Sequence, residues 1–263
     1  MDNAEKEIVK RRLGIGPWLP IISPLVILVA VFVILEIIAR TTDVAFYILP
    51  PPSMIIGTTA SVFQEQLLHH FLFTFRIIAT GFAIATVLGM GLAALFSQFS
   101  IITKAVTPVI LMLVITPMIT LIPIVILWIG TNPDLRVLVI ILQSAPIITL
   151  NTLAGFTNLE TEKVELAKSV GATKMQRFSK IIFMNAMPQV FTGIKLGGIF
   201  ATIGAVSADF VAGNIGLGYR IIFYTKYTMT DLTYGVILII ACIGIAIYMA
   251  VTAVEKRVVV WKN

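Results

Sequence analysis

Charge is what this sequence most lacks. Of 263 residues, 12% are Asp, Glu, Lys or Arg and 58% are hydrophobic, and the mean hydropathy is +1.01. A soluble domain carries about a quarter of its residues charged, so no water-compatible surface can be built here and the bilayer is the expected solvent. The single cysteine, Cys242, lies in an apolar run and excludes an intramolecular disulfide framework. No G-x-x-x-x-G-K-S/T phosphate loop is present, which excludes ATP binding of that kind. Energy for any work must therefore come from a partner or a gradient. No internal repeat is apparent, which weighs against an inverted-repeat secondary transporter. The two histidines, His69 and His70, lack further ligands nearby and are expected at the surface rather than in a metal site. Net charge is +6, but the basic residues form no stripe with interleaved aromatics, so nucleic acid is not an expected partner. No cleavable signal is expected either, because the first apolar run is too long and no small-residue cleavage site follows it.

What is present is a series of apolar runs of the length that crosses a bilayer, about 20 residues. Six are legible, at residues 18–38, 71–96, 102–120, 135–156, 188–212 and 232–254. The third belongs to a longer run broken by Pro117 and Pro123, read as one span followed by a short apolar piece returning to the surface. The expected fold class is therefore an all-α polytopic membrane protein, with residues 18–254 forming one transmembrane domain. Lys6, Lys10, Arg11, Arg12, Lys104, Lys163, Lys168, Lys174, Arg177 and Lys180 fall on one side, with Lys256, Arg257 and Lys262. The opposite side holds Arg40, Arg136, Arg220 and Lys226. Positive charge collects inside, so the N-terminal segment 1–17, the insert 157–187 and the tail 255–263 are expected to be cytoplasmic. On the outer side, Ile48-Leu-Pro-Pro-Pro-Ser53 reads as rigid and extended. Ser53 is expected to cap an amphipathic helix reaching about Leu68.

The cytoplasmic insert is the least membrane-like stretch. Thr157-Asn-Leu-Glu160 fits a capping box, starting a helix that runs to about Val170 and stops at Gly171 in a left-handed turn. Thr173-Lys-Met-Gln176 fits a second capping box. Helix, glycine corner, helix makes a rigid knuckle. A lipid-hugging surface helix would have the same composition, yet would need no capped break.

Ionisable residues inside spans are functional candidates. Glu36 and Arg76 lie near outer span ends, where they pair or snorkel, and snorkelling is the favoured reading; Lys195 reaches back to the headgroups. Asp209 is too short to snorkel, so it is either satisfied by a neighbouring backbone or placed near an outer gate. Its span carries small residues, with Gly193, Gly197, Ala201 and Ala205 on one face for close helix packing. With Asp209, the residues Ser207, Thr202, Gln143 and Asn151 are candidates to line a translocation path, since such groups belong against protein or water.

Several motifs together resemble one family. Glu165-Leu-Ala167, then Gly171-Ala172, Ile181 and Pro188 are similar to the EAA loop of ABC importer permeases. Leu166 replaces an alanine, and Phe183-Met184 stands where that loop has Leu-Pro. Leu49-Pro-Pro-Pro-Ser53, Arg76-Ile-Ile-Ala-Thr-Gly81-Phe82, and Ala208-Asp-Phe-Val-Ala-Gly213 with Gly216-Leu-Gly-Tyr219 resemble elements of the nitrate/sulfonate/taurine-type permeases. Asp209 stands where that group usually has glutamate.

The resemblance implies a MetI-like permease fold and a coupling helix carrying Glu165, Ala167, Gly171 and Ala172. It implies no catalysis and no cofactor on this chain, with ATP and Mg held by two copies of a partner ATPase. A second permease copy forming a homodimer, an extracytoplasmic solute-binding protein and the cytoplasmic (inner) membrane of a bacterium or archaeon are implied as well. The solute would be a nitrate-, sulfonate- or taurine-like anion or a vitamin-precursor heterocycle. An ion-gradient-driven secondary transporter and a non-transporting membrane scaffold are the alternatives.

Overall fold

The computed structural model describes residues 19–42, 46–158, 165, 167, 169 and 171–262. Among the described residues the chain is helical, without strands. The helices are α1 (Leu19–Thr41), α2 (Pro52–Val62), α3 (Leu68–Phe96), α4 (Ser100–Ile115), α5 (Met118–Ile129), α6 (Pro133–Thr157), α7 (Lys174–Arg177), α8 (Phe183–Ala212), α9 (Leu217–Lys226) and α10 (Thr230–Val258). Single π-helical turns, Phe63–Leu67 and Phe178–Ile182, join α2 to α3 and α7 to α8.

Four helices are long and apolar enough to cross a membrane: Pro52–Phe96, Pro133–Thr157, Lys174–Ala212 and Thr230–Val258. The pair α4 and α5 makes a fifth, bent by 95°. Its cause is local. Thr116 is extended (ψ 121) ahead of Pro117, as the residue before proline is pushed out of the α region. The helix expected through residue 120 thus stops at Ile115. α1 adds a mostly apolar helix of 23 residues, about 34 Å at 1.5 Å per residue, and leans on α2.

Ser53 does not cap. Pro51 is the N-cap of α2 and Pro52 opens the helix, where a missing N–H costs nothing. Ser53 instead binds Glu36, whose carboxylate accepts the Ser53 N–H at 2.9 Å and its hydroxyl at 2.7 Å. Nor does the outer helix end near Leu68; it runs unbroken into the span to Phe96.

α6 is the central element, gripped by α3 on one side and α8 on the other. Ile140 and Ile148, both fully buried, fill gaps left by glycines. A Cβ at Gly81 would lie 2.7 Å from Ile140, and one at Gly197 would lie 2.5 Å from Ile148. The small face of α8 is therefore spent on α6 within the chain, with Gly193 against Asn151 and Gly204 against Gln143. Close approach of this kind drives helix association where the solvent is itself apolar.

Candidate functional site

The two ends of the α6–α8 pair carry the polar chemistry. At one end lies the knuckle. Gly171 takes φ +75, and the Ala172 N–H reaches back to the Ala167 carbonyl at 3.0 Å, the long-range bond of a Schellman turn. Ala167 is buried, Ala172 half-buried, and Glu165 and Gly171 are exposed. The second capping box forms as read: the Gln176 N–H donates to Thr173 Oγ1 at 3.3 Å, and the Thr173 N–H donates to Gln176 Oε1 at 2.9 Å. The Phe178 ring packs at 5.4 Å, tilted by 56°, against Phe156 at the end of α6, which roots the knuckle in the bundle. α7, the π turn and α8 then form one continuous 39-residue helix, so Pro188 lies inside the helix rather than opening it.

The first capping box reaches into residues that lie outside the described ones. Thr157 closes α6, and its hydroxyl donates backwards to the Leu153 carbonyl at 2.9 Å. Glu160 lies outside the described residues, as do Leu166 and Val170.

At the opposite end, Asp209 and Arg136 form an ion pair at 2.8 Å, each side chain 2% exposed. Asp209 is thus satisfied mainly by a cation on another helix. Its second oxygen accepts the Gly218 N–H at 3.3 Å. Arg136 lies over the Phe73 ring at 5.3 Å, and its guanidinium reaches the carbonyls of Thr131, Asn132 and Ala212. A buried charge persists only when paired and hydrogen-bonded in this way. The N-terminus of α9 completes the junction. The Gly216 N–H donates to His70 Nδ1 at 3.0 Å and the Leu217 N–H to Thr74 Oγ1 at 2.8 Å. α9 is held further by Arg220 and Tyr224, which bond the backbone and side-chain oxygens of Gln66 at 3.1 and 3.3 Å. Burial pushes the Tyr224 phenol above its ordinary pKa, offset in part by Arg220.

Two other span charges, Glu36 and Lys195, also have partners. Glu36 pairs with Arg40 at 2.6 Å, not with Arg76. Lys195 pairs with Glu255 on α10 at 2.8 Å, over the Tyr248 ring. Sequence reasoning missed Arg136 as Asp209's partner, and missed α9 entirely. The one available signal for α9 was Gly216, whose φ of +114 starts the helix.

The candidate path residues do not converge on one surface. Gln143 and Asn151 lie on the same face of α6, toward α8. Asn151 donates to the Ile147 carbonyl at 2.8 Å and accepts from Gln189 at 3.4 Å. Gln143 Oε1, Ser144 Oγ and Thr152 Oγ1 are buried without a hydrogen-bond partner. Thr202 faces the other way, lining a groove with α10, and Ser207 is half-buried.

Residues 85–260 match the family described as binding-protein-dependent transport system inner membrane component. The chain belongs to this family. A formylaminopyrimidine transport permease of Halalkalibacterium halodurans is 29% identical over 92% of this chain and 96% of its own length. A riboflavin transport system permease of Chloroflexus aurantiacus is 28% identical over 82% of this chain and 81% of its own. The taurine transport system permease of Escherichia coli is 22% identical over 82% and 83%. Among solved structures, the inward-facing MetNI methionine ABC transporter superposes with a TM-score of 0.57 at 18% identity, over 76% of this chain and 98% of that one. The permease therefore has the MetI-like fold and is a multi-pass inner-membrane subunit of an ABC importer. Family membership sets aside both the gradient-driven transporter and the scaffold.

Proposed function

We propose that this permease is the transmembrane half of an importer in which residues 157–187 dock into a separate ATPase, with Glu165, Ala167, Gly171 and Ala172 forming the contact. Two permease copies and two ATPase copies make the unit, and an extracytoplasmic solute-binding protein delivers the solute. ATP and Mg belong to the ATPase. Both termini and the knuckle lie in the cytoplasm, on the side where basic residues collect. Residues 18–254 form the transmembrane domain. Gln143 and Asn151 on α6, with Thr202, Ser207 and Asp209 on α8, serve the path, and Asp209 holds its outer end closed through Arg136.

The solute is a small polar molecule of the kind named for the relatives: a sulfonate such as taurine, or a heterocycle such as a pyrimidine vitamin precursor or riboflavin.

The observation that carries this reading is the Gly171 corner, a left-handed turn ahead of the helix that opens at Lys174, tied by the Ala172-to-Ala167 bond at 3.0 Å. A corner of fixed shape transmits a push, whereas a flexible loop absorbs it. Gly171→Val puts a β-branched residue at positive φ, where it is a true outlier. The variant is expected to insert normally, to co-purify with less ATPase and to lose uptake; normal uptake by it would refute the assignment.

A further inference from the structure

Beside the knuckle lies a cavity with a polar side. Three cavities elsewhere are walled almost wholly by apolar side chains. This one, of about 290 Å³, has a polar rim of Lys174, Arg177, Ser97 and Gln98 over a floor of Phe156, Phe178 and Ile182. Lys174 and Arg177 are three residues apart and share a helix face, with Phe178 and Ile182 continuing that face toward the span. Polarity thus falls along the cavity from water side to membrane side.

The rim is cationic and unspent. No carboxylate lies within ion-pair distance of Lys174 or Arg177 among the described residues. The capping box occupies Thr173 and Gln176 and uses neither cationic side chain. Carbonyl oxygens at the end of α3 would oppose an anion, but they are already satisfied. The Ala93, Leu95 and Phe96 carbonyls accept from the Ser97, Gln98 and Phe99 N–H groups, and the Ala94 carbonyl accepts from the Ser97 and Gln98 side chains. Ser97 Oγ keeps acceptor capacity and can turn toward a ligand hydroxyl.

We propose that this cavity binds an anionic phospholipid, its phosphate on Lys174 and Arg177 and the start of an acyl chain on Phe178 and Ile182. An aromatic floor gives a free phosphate nothing to rest on, and a basic pocket at the cytoplasmic end of spans matches an anionic head group. The leaflet rests on the topology proposed above. The lipid would seat the root of the knuckle, where Phe178 meets Phe156, so it holds the element that the ATPase pushes.

The test uses the full chain without any ATPase, so failure of the coupling reading leaves it intact. Wild type, K174Q/R177Q and K174R/R177K are placed in nanodiscs of equal phosphatidylglycerol and phosphatidylcholine, released, and weighed by native mass spectrometry. Wild type and K174R/R177K are expected to retain phosphatidylglycerol selectively. K174Q/R177Q should hold it about 30-fold more weakly, from two basic side chains lost near an anionic group. Equal retention by K174Q/R177Q overturns the proposal, as does displacement by millimolar inorganic phosphate, which would mark a free-anion site.

Discussion

Two glycines at positive φ stand at opposite ends of the same helix pair, and they are not equivalent. Gly171, at the knuckle, has nothing within 4 Å of where a Cβ would sit. At the far end, the same atom on Gly216 would fall on the Asp209 carboxylate. The knuckle is built from sequence-local bonds: Ala172 to Ala167, and Thr173 to Gln176 and back. The Asp209 junction is built from bonds spanning 73 residues (Arg136 to Asp209), 146 (Gly216 to His70) and 143 (Leu217 to Thr74). One end is a self-contained shape presented to the outside. The other is a knot that ties α3, α6, α8 and α9 together.

The comparison breaks most sharply at the ion pair. Arg136→Ala leaves a carboxylate buried without its cation, a change of about 3–5 kcal/mol. The variant is expected to lose most of its folded population in detergent thermal unfolding, and Arg136→Ala/Asp209→Ala should recover a large part of the loss. If the single variant melts like wild type, the junction is not holding the helices.

Gly216→Ala comes next. It combines a left-handed alanine with a collision against the carboxylate, and overpacking of that kind costs about 1–3 kcal/mol. A lower melting temperature and easier protease cleavage in residues 213–218 are the expected outcome. Gly171→Ala meets only backbone strain, about 1–2 kcal/mol for a non-glycine residue in this region. Because the strain is local, the melting temperature should barely move while ATPase co-purification weakens. Should Gly171→Ala unfold the chain as far as Gly216→Ala does, the two ends are not built differently.

Thr228 gives the smallest and oppositely signed effect. Its φ is +58, and the Met229 N–H bonds the Tyr224 carbonyl at 2.9 Å, the same Schellman bond that Gly171 supports. Here the turn is made by threonine at a cost that glycine would avoid. Thr228→Gly is expected to stabilise the end of α9 by about 0.5 kcal/mol, read as slower amide exchange at Thr228 and Met229.

Which features were legible follows the same division. The knuckle could be read because a capping box and a C-terminal glycine are local patterns in which one residue's chemistry satisfies a neighbour's backbone. The end of α6 shows the limit: the pattern at Thr157 reads as a helix start, yet the apolar packing of Leu153 and Phe156 against Ala186 and Val190 carries α6 as far as Thr157. Partners of span charges were not legible. Lys195 meets Glu255 across 60 residues, and nothing in either neighbourhood names the other.

By itself the sequence determined that the bilayer is the solvent, because charge is too scarce for water, and it determined the helical class, the backbone corner at Gly171 and the kinship carried by its motifs. Tertiary structure alone decided that α8 spends its glycines on Ile148 and Ile140, that Asp209 answers Arg136, and that Lys174 and Arg177 stand over an aromatic floor. The reason is range. Caps, turns and hydropathy act within a few residues along the chain, whereas a buried charge in an apolar medium is satisfied by whatever helix the fold brings to it.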